Sequence, residues 1–129
     1  MKKEEEIIHA RVCNYLRLKY PLVFFFSDPS GIKMSIGMAV KLKATRSLHK
    51  QIDLFIAHPV GKYSGMFIEI KKDLNEVLTK KGEMRNSEHI KAQYKSLRHL
   101  SNEGYYAVFG CGYDDCIEEI EKYFQGNVQ

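Results

Sequence analysis

The stretch QIDLFIAHPVGKYSGMFIEIK, residues 51–71, decides the fold. Two runs of strand formers, Ile52 to Ala57 and Met66 to Lys71, flank HPVGKYSG, whose proline, glycines and serine are turn residues. Side chains alternate across a strand, so Ile52, Leu54 and Ile56 turn to the core while Asp53 and Phe55 turn away. Met66, Ile68 and Ile70 likewise oppose Phe67, Glu69 and Lys71. A hairpin centred near Gly61 sets Asp53 opposite Glu69, since each lies eight residues from that point. Directly opposed Cβ atoms lie about 5 Å apart, and like charges there repel. Such a pair needs a cation. A divalent metal supplies one, and two carboxylates with the Ile70 carbonyl are hard oxygen ligands suited to Mg²⁺. Lys71, on the same face as Glu69, can orient a water or neutralise a phosphate. The plainer alternative is that both acids are solvent-face residues paired with nearby lysines.

Outward from the hairpin, Glu4 to Tyr20 reads as a helix with Ile8, Val12, Tyr15, Leu16 and Lys19 on one stripe. Its acids open the first turn and its bases gather near the end, which complements the helix dipole. Pro21 closes it, Val23 to Phe26 forms a short strand, and SDPSG at 27–31 is a turn cluster. Ser35 to Ala44 makes a second helix carrying Lys41 and Lys43 outward. A helix over 87–102, a strand over 105–110 and a closing helix over 114–124 complete the order α-β-α-β-β-α-β-α. Ile117, Ile120 and Phe124 are the inward residues of the last helix. The expected class is α/β, with a mixed four-stranded sheet flanked by helices. With 129 residues and no repeat or linker, the chain reads as a single domain over 1–129.

Composition narrows the function. Hydrophobic residues at 44% and charged residues at 28% exclude a disordered or fibrous chain. The longest apolar runs, such as LVFFF at 22–26, are far too short to span a membrane. Acids occupy the place of a signal peptide's apolar stretch, and three scattered cysteines do not make a disulfide framework, so a reducing cytoplasm is expected. Cys111 and Cys116 lack a second ligand pair for zinc. No glycine-rich phosphate loop or Ser-His-Asp order stands out.

The net charge of +4 is unevenly spread. Between Gly31 and Ile52 lie Lys33, Lys41, Lys43, Arg46 and Lys50 with no acid, whereas the chain from Ser101 onward carries six acids and only Lys122. A concentrated basic block suits a polyanion such as nucleic acid. On charge alone a solvated lysine face is the favoured account. Two further residues stand near the hairpin's chemistry. Gln93 falls on the stripe of Ile90, Leu97 and Leu100, where an amide must find a partner or border a polar site. Glu5 lies one turn from His9, so both can point to one place, although a solvated first-turn acid and a packed histidine is the plainer reading.

These residues together resemble a VRR-NUC domain, the virus-type replication–repair nuclease branch of the PD-(D/E)XK superfamily. The likeness runs from EEEIIHARVCNYLRLKYP through SGIKMSIGMAVKLK and IDLFIAHPVGKYSGMFIEIKK to HIKAQYKSL and EGYYAVFGCGYDDCIEEIEKYF. It implies a restriction-endonuclease-like α-β-β-β-α-β core, with the 35–44 helix as an insertion. It also implies that Asp53 and Glu69 bind metal with the Ile70 carbonyl and that Lys71 is the catalytic lysine. Gln93 matches the family glutamine and Glu5 the first-helix acid, with Glu4 and Glu6 beside it. The family's second motif is usually Gly-x-Pro-Asp, whereas this chain reads His49-Lys50-Gln51-Ile52-Asp53. The aspartate is kept and the proline is not. Proline mainly constrains the backbone, so altered geometry or substrate preference is expected rather than lost chemistry.

The activity implied is Mg²⁺- or Mn²⁺-dependent hydrolysis of DNA phosphodiesters, with the basic block gripping the backbone. Stand-alone members resemble phage-encoded nucleases that resolve four-way junctions as homodimers, which implies branched DNA, a two-fold pair and a bacterial or phage-infected cytoplasm. The alternatives are a flap- or restriction-type nuclease with the same chemistry, or a catalytically silent nucleic-acid-binding module.

Overall fold

A central sheet carries the 51–71 hairpin at its middle. The computed structural model describes residues 3–28 and 34–128. Its elements are α1 (Lys3–Lys19), β1 (Phe25–Ser27), α2 (Ile36–Ala44), β2 (Leu54–Ile56), β3 (Met66–Lys71), α3 (Glu88–Asn102), β4 (Tyr106–Cys111) and α4 (Tyr113–Phe124). The strands lie in the order β1-β2-β3-β4, and the sheet is mixed: the first two pairings are antiparallel and β3 pairs β4 in parallel. This is the architecture expected from the sequence.

Local chemistry explains the boundaries. The α1 helix stops before Pro21, which cannot donate a backbone hydrogen bond, and Val23 N–H returns to the Tyr20 carbonyl at 3.0 Å. That turn occupies residues expected in β1, so the strand begins at Phe25 rather than Val23. Ser35 caps α2 by accepting from Met38 N–H, and Ser87 caps α3 by accepting from Ile90 N–H.

One face of the sheet is the main core. Leu54, Ile56, Met66, Ile68 and Ile70 are fully buried there with Val12 and Leu16 of α1 and Cys116, Ile120 and Tyr123 of α4. The helix α4 approaches β4 closely because Gly110 has no side chain: a Cβ there would fall on Cys116 Sγ. On the opposite face Phe55 and Phe67 stack at 4.4 Å, and Gln93 of α3 reaches Glu69. No residue of α2 is buried, and Ile36, Met38 and Val40 are exposed. Among the described residues, no helix is long and apolar enough to cross a membrane.

Candidate active site

The hairpin register brings the two expected carboxylates together. Leu54 pairs with Ile68, and one further step in the same register sets Asp53 opposite Glu69. Asp53 N–H donates to Glu69 Oε1 at 3.3 Å, and Ile70 N–H donates to Asp53 Oδ2 at 2.8 Å. Asp53, Glu69, Lys71, Gln93 and Glu5 are each at most 7% exposed. The solvent-face alternative for the acids fails at that point, because solvated acids would not be buried beside one another.

Local structure also accounts for the missing proline. Ile52 enters the apolar core, while the Asp53 carbonyl accepts from Asp28 N–H at 2.8 Å. Ser96 Oγ of α3 donates to the Lys50 carbonyl at 2.6 Å. These two contacts hold the approach to β2 that a proline would otherwise stiffen.

Electrostatics marks the pair as under-compensated. Burial pushes the Glu69 carboxyl well above its ordinary range, and the neighbouring Asp53 charge and a hydrogen bond shared with Asp53 push it the same way. Lys71 opposes the shift. Glu5 is pushed up to about 7, first by burial and then by a hydrogen bond with Glu76, with Lys71 again opposing. Of the three acids in the first turn of α1, Glu5 is buried while Glu4 and Glu6 are exposed.

Gln93 Nε2 donates to Glu69 Oε2 at 2.7 Å and lies 3.0 Å from His89 Nε2. Gln93 Oε1 is buried with no hydrogen-bond partner. An orphaned acceptor beside two repelling carboxylates is what a hydrated cation site leaves when its ligands are counted alone. Ile70 N–H points to the edge where β2 ends, and in a strand the carbonyl of the same residue points the same way. Among the described residues, no three His, Cys, Asp or Glu side chains converge as a ligand set. The oxygen donors at hand beside one another are two carboxylates and a carbonyl. That set fits a Mg²⁺-like ion, which commonly takes one or two carboxylates and keeps several waters.

His89, Glu76, Arg85 and Ser87 border Glu5 and Lys71 in a cleft of about 560 Å³ and were not singled out in the sequence. His89 precedes Gln93 by one helical turn, a spacing that places both on one face of α3 and could have flagged it. Glu76 sits in a single 3-10 turn, Leu74–Glu76, and Arg85 Nε donates to the Asn75 carbonyl at 2.8 Å. Neither has a periodic signal. His9 contacts Ser27 Oγ through Nε2 at 2.8 Å, and the Asp53 charge of the carboxylate pair acts on its ring.

The basic block is only partly gathered. Lys41, Lys43 and Lys50 are exposed, and Lys33 lies outside the described residues. Arg46 is drawn into an ion pair with Asp28 at 2.6 Å, so its charge is partly spent within the fold.

Compared by sequence, the chain matches no family profile, and no curated protein matches it. Compared by structure, it is similar to a solved chain described as a VRR_NUC domain protein. The TM-score is 0.68 and the identity 26%, covering 97% of this chain and 91% of the other. The mixed sheet with its acid-x-lysine strand defines the PD-(D/E)XK class of nuclease-type folds. Within that class, the chain has the VRR-NUC fold.

Proposed function

We propose that this protein is a divalent-metal-dependent endonuclease that hydrolyses DNA phosphodiesters, acting on four-way junctions as a homodimer. The observation that carries the reading is the buried Asp53–Glu69 pair with Lys71 on the same strand face. Asp53, Glu69 and the Ile70 carbonyl would hold Mg²⁺ or Mn²⁺. Such an ion supplies Lewis acidity toward a phosphate oxygen and lowers the pKa of a bound water.

The chain's own residues do the rest. Lys71 positions the attacking water and stabilises negative charge growing on the phosphoryl group. Gln93 fixes Glu69 by its amide hydrogen bond, so the carboxylate presents one orientation. Glu5 faces Lys71 electrostatically and joins the site from α1. Lys41, Lys43 and Lys50, with Lys33, hold the DNA backbone by charge without reading sequence.

Symmetric cutting of a junction requires two active sites, which a two-fold dimer provides. Support for a dimer comes from apolar side chains left open to solvent: Leu22 and Phe24 just before the edge strand, and Ile36, Met38 and Val40 on α2. The decisive experiment incubates four-way, flapped and linear DNA with protein and Mg²⁺ or Mn²⁺. Cleavage should need the metal, favour the four-way junction and disappear in Asp53→Asn. Cleavage that survives Lys71→Ala would discard the assignment of the lysine. Metal-independent DNA binding without cleavage would identify a silent binding module instead. Sedimentation should give twice the 15.0 kDa of one chain.

A further inference from the structure

A cavity of about 490 Å³ opens beside the carboxylate pair, between strands β2 and β3, α3 and the region following α2. Its floor is Phe55 and Phe67, stacked at 4.4 Å, and Phe26 closes one side edge-on to Phe55 at 5.5 Å. Leu42 and Leu100 add aliphatic wall, while Lys50 sits at the rim. Its one carboxylate, Asp28, is paired with Arg46. Arg46 Nε is buried and has no acceptor.

We infer that this cavity is a nucleobase pocket, which receives one unstacked base of the DNA strand next to the phosphodiester being cut. The inference rests on the nuclease reading for its substrate and goes beyond it in assigning the pocket. Three observations favour a base over other occupants. First, the wall is aromatic and the rim cationic, so a base can pack against the ring edges of Phe55 and Phe67 while Lys50 meets a phosphate. Second, Ser47, His49 and His99 line the cavity with polar groups that can meet the edge of a base, whereas an apolar segment from a second copy would leave them unpaired. Third, Phe55 and Phe67 lie two residues along their strands from Asp53 and Glu69, on the same face. Two residues of strand rise are about 7 Å, so one nucleotide can place its base on the rings and its phosphate at the carboxylates. Aromatic contact tolerates any base, which fits a nuclease that selects DNA shape rather than sequence.

The test places 2-aminopurine at successive positions around the cut site of a four-way junction, with EDTA present so that nothing is cleaved. A fluorescence change on protein binding is expected at one position only. Making that nucleotide abasic should weaken wild-type binding about tenfold. Phe67→Ala should bind intact and abasic DNA equally. Phe26→Ala, on the exposed edge strand, gives the same reading where the first variant folds poorly. A fluorescence change spread over all positions, or full discrimination against the abasic site retained in both variants, would overturn the pocket. So would a fall in sedimentation mass in both variants, which would assign the cavity to a second copy. Mg²⁺-dependent cleavage of the same DNA separates the two readings. Cleavage without a base signature removes only the pocket, and a base signature without cleavage removes only the nuclease.

Discussion

Asp53 and Glu69 clasp each other across the hairpin, each carboxylate tied to the backbone of the other's strand. Asp53 N–H binds Glu69 Oε1, and Ile70 N–H binds Asp53 Oδ2. The clasp fixes both oxygens' positions before any cation arrives, so little ordering is left to the binding step. It also confines two acids in a buried place, which raises the free energy of the charged state. Geometry suited to an ion and instability without one come from the same contacts.

Removing one charge should therefore stabilise the metal-free protein and abolish its chemistry. In Glu69→Gln the amide oxygen can still accept from Gln93. The NH₂ gives up the 3.3 Å bond from Asp53 N–H but can donate to the Asp53 carboxylate, with which the repulsion is gone. At pH 8, urea unfolding in EDTA should show a higher midpoint than wild type. Calorimetry should show Mg²⁺ affinity lost. A variant less stable than wild type would mean that the two carboxylates do not strain each other.

The pH dependence of stability follows from the same groups. A carboxyl whose pKa is raised on folding keeps its proton where the unfolded chain has lost it. Its favourable contribution is greatest below the unfolded value of 4.5 and is lost as pH climbs through the folded value, about 7 for Glu5. His9 and His89, both lowered mainly by burial, act in the opposite direction below their ordinary value of 6.5. The clean window is thus above pH 6.5. In EDTA the Tm should fall from pH 6.5 to 8, and Glu5→Gln should flatten the fall. Added Mg²⁺ should raise the Tm more at pH 8 than at pH 5, because the ion competes with protons for the pair.

Gln93 tests the support around the site. Gln93→Leu keeps the side chain's bulk on α3 but leaves Glu69 Oε2 without its donor. Mg²⁺ affinity should drop by about 10–100-fold, the range for losing a partner of a metal ligand. Isothermal titration reads this directly, and circular dichroism should show α3 unchanged. An unaltered affinity would mean that the amide does not position the carboxylate.

The hairpin was legible because its period is two and each residue type falls on the face that suits it. Ile52, Leu54 and Ile56 alternate with Asp53 and Phe55, and counting from Gly61 reaches the observed register. Three consecutive glutamates in α1 were less informative. All sit in the first turn, and only packing against Lys71 and Glu76 distinguishes Glu5. Lys33, Lys41, Lys43, Arg46 and Lys50 read as one positive block because sequence shows charge but not partners. The Arg46–Asp28 ion pair joins the turn cluster to the segment just after α2, and no spacing rule connects them. The start of β1 shifted for a similar reason: Val23 has strand propensity, but its N–H is taken by the turn at Pro21. Ser96 was invisible as a support for Lys50, since a serine inside a helix carries no periodic signal.

A last prediction concerns the scaffold that carries β3 and its acids. Gly110 lies in β4, paired in parallel with Ile70, and α4 crosses it at Cys116. In Gly110→Ala the new methyl would meet Cys116 Sγ and come within 3.0 Å of Ile68 Cγ2, both in the closed core. Neither neighbour can retreat, because Cys116 and Ile68 are fully buried. Overpacking of this kind costs about 1–3 kcal/mol, which urea unfolding should register as a lower midpoint with an unchanged m-value. Cys116→Ala removes the sulfur that the methyl strikes. The double variant should then lose less stability than the two single losses added together, with a coupling of at least about 0.5 kcal/mol. Strict additivity would show that the close approach of α4 to β4 is not what requires glycine. The site residues Asp53 and Glu69 lie on other strands' faces and ends, so the folded fraction of each variant should bind Mg²⁺ as the parent does.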